Sequence, residues 1–305
     1  MDKKLKILVA TDFSKNSDDA IRTAWEWAQK LETGLAVVNV ADISSGFGMS
    51  PFDHPSLTNF EDVLRKEFGD TLDKQIKKIC PNDFEKIERQ ILFGPVVETL
   101  LDKIETENIE LAVLGTKGHS KFEHLYMGSI TEKMAQLSPV PVLAVKDDKV
   151  HTPDTLLVAL DLNYDARELF WAKKIAKTFN SKIHLAHVVS PEISDNDFIQ
   201  QEIERSKVQC IEDILDLGEK LAKEELELAS KELQKEQIDS SWSVAKTDSS
   251  SPAKSLLKLI EENPTDLLVI GTHGRSGITK WLMGSVAESL IRKAPTSMLI
   301  MKNLF

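Results

Sequence analysis

Cysteine is close to absent from this 305-residue chain, which holds only Cys80 and Cys210. The two lie far apart and form no Cys-x-x-Cys spacing. That excludes a disulfide framework and a thiolate metal site, and it points to a reducing compartment with both thiols partly buried. Long hydrophobic runs are missing too: none approaches the roughly 20 residues that span a bilayer. The opening MDKKLKILVATD has lysines, but its apolar stretch is too short for a secretory signal and reads as a first strand. The expected location is the cytoplasm, with no membrane partner.

A basic excess is also lacking. The net charge is −11, divided as 19 basic against 25 acidic residues up to Val150 and 19 against 24 beyond it. Neither half has the positive field on which nucleic-acid binding depends, so no nucleic-acid partner is expected. With 41% hydrophobic and 29% charged residues and no low-complexity tract, the chain has the composition of a globular protein. Its length suits two domains of about 150 residues.

Several catalytic signatures are absent. No Gly-x-Ser-x-Gly elbow occurs, and GRSG (Gly274 to Gly277) has the wrong spacing. No Gly-x4-Gly-Lys-Ser/Thr loop supplies a lysine for terminal phosphates. The histidines form no His-x-x-x-His pair; His119 and His124 read as non-ligands, so no metal site is expected from protein side chains alone. His184 and His187, three apart on one strand, fall on opposite faces, and His187 reads as a hydrogen-bonded residue beside the site.

What is present is a duplication. Gly-x2-Gly-x9-Gly-Ser occurs at Gly115, Gly118, Gly128, Ser129 and again at Gly271, Gly274, Gly284, Ser285. Each copy follows an apolar run (LAVLG, LLVIG) and precedes a helical stretch and another apolar run (PVLAV, SMLIM). Strand, glycine loop and helix opening on Gly-Ser form an arrangement suited to phosphates. Glycines let the backbone approach an anion and turn with positive φ, and the free N–H groups and positive dipole end of the helix favour negative charge. The serines also read as helix N-caps. His119 and Arg275 follow the second glycine of each copy, within reach of phosphate or simply solvated.

The rest of the two halves matches as well. KILVATD (Lys6 to Asp12) pairs with TLLVALD (Thr155 to Asp161), and LAVVNV (Leu35 to Val40) with IHLAHVV (Ile183 to Val189). Third strands fall near Ile87 to Phe93 and Trp242 to Lys246, each before a proline-started helix at Pro95 or Pro252. Continuous apolar strands alternating with helices predict two tandem doubly wound domains, each a five-stranded parallel sheet flanked by helices. The boundaries are 1–147 and 153–305, with a polar linker at 148–152. One long charged helix is predicted from Phe198 to Gln237, packed on its own sheet or else offering a docking surface, with Ile199, Ile203, Val208, Ile211, Ile214 and Leu215 as its apolar positions.

These residues resemble the universal stress protein family over nearly the whole chain, twice. The resemblance rests on the strand-one aspartates Asp12 and Asp161, the valines after Asn39 and His187, and both glycine elements; GTHGRSGITKWLMGSVAESLIRKAPTSMLIM is its most specific segment. It implies an adenine nucleotide alpha hydrolase-like fold with ATP at the carboxyl ends of the strands, in company with Mg2+ or Mn2+. Asp12 and Val40 would surround adenine and ribose, with Thr11 and Leu114 beside them; Asp161, Val188 and Ile270 would do so in the second half. Gly115, Gly118, Gly128, Ser129 and Ile130, or Gly271, Gly274, Arg275, Gly284, Ser285 and Val286, would meet the phosphates. Family members dimerise through strand five, which implies an intramolecular pseudo-dimer here, with a further homodimer left open.

The halves depart from the family pattern in different places. Gly277 supplies a third loop glycine where the first half has Lys121, which favours the second copy. The first half keeps Gly94 and Thr11 where the second has Ser251 and Leu160. The expected function is a nucleotide-dependent stress sensor or adaptor. Three alternatives are a slow ATPase or self-phosphorylating enzyme, a nucleotide-free dimeric scaffold, and a related flavoprotein-type α/β fold that binds FAD. A phosphate cradle without a finger arginine, an invariant lysine or paired carboxylates supports binding and not turnover.

Overall fold

The computed structural model describes residues 4–42, 56–116, 128–146, 152–161, 166–190, 211–247, 251–272 and 284–302. The chain divides into two compact units, Met1–Thr152 and Pro153–Phe305. Most of the expected linker, residues 148–151, lies outside the described residues.

Unit 1 runs β1 (Lys6–Ala10), α1 (Lys15–Lys30), β2 (Gly34–Ala41), α2 (Ser56–Ile79), β3 (Glu88–Phe93), α3 (Val96–Thr106), β4 (Ile109–Gly115), α4 (Ser129–Leu137) and β5 (Val142–Val145). Its strands are parallel in the order β3-β2-β1-β4-β5. Ile7, Leu8 and Val9 are all buried, so β1 has a covered residue on both faces and reads as an unbroken apolar run. The chain steps outward from β1 to β3 and then crosses back to β4. Right-handed crossovers therefore put α1 and α2 on one face and α3 and α4 on the other.

Each helix starts and stops for local reasons. Ser14 caps α1 by accepting from the Ser17 amide, and Leu31 ends it ahead of Glu32, whose φ of 56° no helix can continue. The apolar stripe of α1 buries Ala20, Ala24, Ala28 and Trp27, the last being fully enclosed. On the opposite face Leu8, Ala36, Val38, Leu100, Ile104, Ala112 and Met134 form one apolar cluster.

Unit 2 repeats this with β6 (Thr155–Ala159), α5 (Ala166–Phe179), β7 (Lys182–Val189), α6 (Ile211–Lys235), β8 (Ser240–Lys246), α7 (Pro252–Glu262), β9 (Leu267–Gly271), α8 (Ser285–Lys293) and β10 (Ser297–Met301). Its parallel order is β8-β7-β6-β9-β10, the same winding. The two doubly wound sheets expected from the repeat are present.

Three details differ from expectation. The first strands stop at Ala10 and Ala159, two residues short of the aspartates, because the chain must leave the sheet to start its helix. Pro95 is the residue before the first turn of α3, whereas Pro252 is helical as expected. The long charged helix is described from Ile211 to Lys235; Ile199, Ile203 and Val208 lie outside the described residues. Leu215 and Ala222 of that helix pack with Val189 and Val244 of its own sheet, the packing its amphipathic pattern predicts.

Candidate functional site

The chain leaves β1 toward β2 on one side and returns through β4 on the other. The connections after β1 and β4 therefore diverge, opening a crevice at the carboxyl edge of the sheet. In unit 1 the described parts of its two walls are the segment from Thr11 to Ser14 and, facing it, Gly115–Thr116 with Gly128–Ser129.

The first wall is held by side chains bonding to backbone. Thr11 donates its amide to Val38 O at 2.9 Å, and Asn39 Nδ2 donates to Thr11 O at 2.8 Å. Asp12 is exposed, and its Oδ1 accepts from the Ser14 amide at 3.0 Å. This orders the loop ahead of the Ser14 cap; the aspartate does not itself cap the helix. Phe13 has a φ of 65°, a left-handed conformation uncommon for a bulky residue, and its amide donates to Thr11 Oγ1 at 3.0 Å.

The second wall is described at its two ends. Gly128 N donates to Thr116 O at 2.6 Å, joining the two ends of the segment between them, and Thr131 Oγ1 donates to Gly115 O at 2.8 Å. Gly115 sits under the start of α1: a Cβ there would lie 3.0 Å from Asn16 O and 3.1 Å from its carbonyl carbon. Only glycine fits that approach without displacing backbone. Gly128 is different. Its φ is −61° and ψ 145°, so the left-handed turn expected of this glycine is not used. It is the residue that caps α4, it brings no side-chain acceptor, and exposed Ser129 is the first helical residue. The serine is thus not the N-cap, as the sequence had suggested, and the N–H groups of the first turn of α4 receive no bond from the capping side chain.

Unit 2 repeats the backbone bonds, with Thr272 N to Met301 O matching Thr116 N to Val145 O, while Ala287 stands in place of Thr131. Leu160 N donates to Ala186 O at 2.9 Å, Thr272 N to Met301 O at 2.8 Å, and Gly284 N to Thr272 O at 2.8 Å. Gly284, with φ −63° and ψ 146°, caps α8 without a side-chain bond and Ser285 follows it. His187 takes the place of Asn39: its Nδ1 lies 2.6 Å from Leu160 O. A carbonyl only accepts, so Nδ1 carries the proton. This is the hydrogen-bonded role expected of His187. Asp161 is exposed at the mouth, like Asp12.

Other candidates fall into place around these walls. Val40, Leu114 and Ile130 share the apolar cluster beneath the crevice of unit 1. In unit 2 Ile270 is buried while Val188, Gly271 and Val286 are partly exposed. Thr11 is 5% exposed and its hydroxyl is bonded inside the protein, so it builds the wall and does not face the crevice. Gly118, Gly274 and Arg275, with His119, Lys121 and Gly277, lie outside the described residues. Gln75 and Ser17, which bond to Thr11, had no signal in the sequence, being distant and embedded in ordinary amphipathic helices.

Among the described residues, charges near the site are modest. Glu132 and Glu288 occupy the first turns of α4 and α8, and Glu288 pairs with Arg292 at 2.9 Å. Among the described residues no group of three or more His, Cys, Asp or Glu is placed to hold a metal ion. No described helix is long and apolar enough to cross a membrane.

The pattern of the Universal stress protein family matches residues 5–146 and again 153–302. The chain therefore belongs to that family, as a tandem of two such domains. Universal stress protein MJ0531 of Methanocaldococcus jannaschii is 29% identical over 146 residues, 47% of this chain and 83% of its own. The crystal structure of a universal stress protein from Archaeoglobus fulgidus superposes with a TM-score of 0.68 at 22% identity, covering 97% of this chain and 98% of its own. A solved universal stress protein in complex with cAMP matches 47% of this chain and 97% of its own at 21% identity, with a TM-score of 0.36.

Proposed function

We propose that this chain binds ATP at the carboxyl edge of its sheets and works as a nucleotide-dependent stress sensor or adaptor in the cytoplasm. One observation carries the reading: in each unit a helix opens on a capping glycine with no side-chain acceptor, across the crevice from an exposed aspartate. Free N–H groups at a helix start favour phosphate, and a side-chain-free cap leaves room for it. A carboxylate at the opposite wall is suited to ribose hydroxyls. Mg2+ or Mn2+ would ride on the phosphates, offsetting a strongly acidic chain. The described residues would bind and orient a nucleotide.

Calorimetry with ATP and GTP in Mg2+ tests this. Micromolar ATP binding, weaker GTP binding and a melting temperature that rises with ATP are expected. Absence of both heat and thermal shift at millimolar ATP would overturn it. Release of ADP well above a few turnovers per hour would replace the sensor by an ATPase.

A further inference from the structure

The two first walls are built differently. In unit 1 the Thr11 hydroxyl sits among Ser17 Oγ at 2.9 Å, Gln75 Oε1 at 2.9 Å and the Phe13 amide at 3.0 Å. Gln75 reaches it from α2, 64 residues away in sequence. Its other amide atom, Nε2, donates to Asp18 Oδ1 at 2.6 Å, which fixes the orientation of the amide: an oxygen there would face a carboxylate. Gln75 Oε1 can only accept, so the Thr11 hydrogen is committed to it. Thr11, Ser17 and Gln75 are 5%, 3% and 8% exposed, so this network is shielded from water. Two turns earlier on the same face of α2, Phe68 meets the Phe13 ring with centroids 6.2 Å apart. Helix α2 thus grips the loop that carries Asp12 at two points, one of them on the residue with left-handed backbone.

In unit 2 Leu160 stands where Thr11 would be and is buried, so no hydroxyl is present there to donate such a bond. The contact of α6 with its sheet at Ala222, Val189 and Val244 is apolar.

We propose that Gln75 is a positioning residue for the Asp12 loop, making unit 1 the preorganised nucleotide site and α2 the element that sets it. This rests on the nucleotide reading above. A loop already held in its binding shape binds without first being ordered, so the unit with the grip is the tighter one. It also reverses the preference for the second copy that the loop glycines suggest. Displacement of α2 by a partner would release the Asp12 loop and weaken unit 1 alone.

The test uses the full chain carrying Gly284→Val, which blocks the cradle of unit 2. ATP binding by calorimetry should remain, and adding Gln75→Met should weaken it about three- to tenfold, the usual worth of one buried hydrogen bond. Ile87→Val, a mild buried change at the amino end of β3, should leave affinity unchanged. Thr11→Val with Gln75→Met should lose no more than the larger single effect, because the two act through one bond. In nucleotide-free protein, Gln75→Met should speed amide exchange at Phe13 and Ser14 severalfold and leave Asp161 alone. Unchanged affinity and unchanged exchange would overturn the proposal. Loss of all binding in Gly284→Val alone would overturn the assignment of the tighter site to unit 1. Failure of the wild-type chain to bind ATP sinks the nucleotide reading and the site with it, while the exchange measurement still decides whether Gln75 grips the loop.

Discussion

Asn39 and His187 make the same bond with different chemistry. Each lies one residue before the valine of its second strand, and each donates to the carbonyl at the exit of its first strand, Thr11 O at 2.8 Å and Leu160 O at 2.6 Å. His187 is 3% exposed, so removing its donor would strand a carbonyl away from water. His187→Leu should lower stability by about 1–3 kcal/mol, the cost of a buried unsatisfied group. His187→Asn should recover most of that, as asparagine already does the task at position 39. Thermal denaturation of the two variants checks this; equal loss in both would refute it.

The glycines of the motif should separate by role. Gly115→Ala would put Cβ 3.0 Å from Asn16 O and should destabilise unit 1. Among the described residues a Cβ on Gly128 meets nothing closer than Thr116 O at 3.6 Å, so Gly128→Ala should leave the melting temperature nearly unchanged. Gly284→Val is likewise permitted by its φ of −63°, and it should abolish nucleotide binding in unit 2 through bulk at the helix start. Circular dichroism beside calorimetry distinguishes the classes.

The connections into α3 and α7 give an opposed pair. Gly94 has a φ of 136°, and a Cβ there would lie 2.8 Å from Thr99 Oγ1. Ser251, at the corresponding place in unit 2, has a φ of 156° despite its side chain. Gly94→Ala should cost about 1–3 kcal/mol, and Ser251→Gly should gain about 1 kcal/mol or less, because glycine also loosens the unfolded chain. Chemical denaturation curves give both signs.

Glu236 accepts from Lys173 Nζ at 2.7 Å and from Lys177 Nζ at 2.6 Å, which lowers its carboxyl to about 2 from an ordinary 4.5. A depressed acid stabilises the folded state above its unfolded value and loses that contribution as pH falls toward the folded one. The contribution is thus intact above about pH 4.5 and fades toward pH 2. Glu236→Gln should flatten the acid limb of the stability curve, weakly and less at high salt, since the pairs are at the surface.

Within their own units β5 and β10 are outer strands of apolar sequence, VLAV and SMLIM, with no interior charge to discourage pairing. Residues Met1 to Asp148 expressed alone should therefore dimerise or precipitate. A soluble monomer by light scattering would be the contrary result.

Much of this was legible in the sequence because it depends on periodicity and repetition. Unbroken runs such as KILVA and LLVIG mark strands covered on both faces, and the repeat marked the same strand, glycine loop and helix in both halves. The bond of His187 could be anticipated from its position on the strand. The conformation of Gly128 and Gly284 could not, because glycine is permitted everywhere and its presence does not say which φ it adopts. Gln75 was invisible for another reason. Its partner Thr11 is brought to it only by the packing of α2, and a lone glutamine on an amphipathic helix reads as a solvated one.

Gly115 and Asn16 meet main chain to main chain, and that contact has no rotamer with which to yield. The spacing of the two walls in unit 1 is therefore a rigid gauge. Side chains along the rim can be exchanged during divergence, altering which molecule is held, while the gap they line keeps one width.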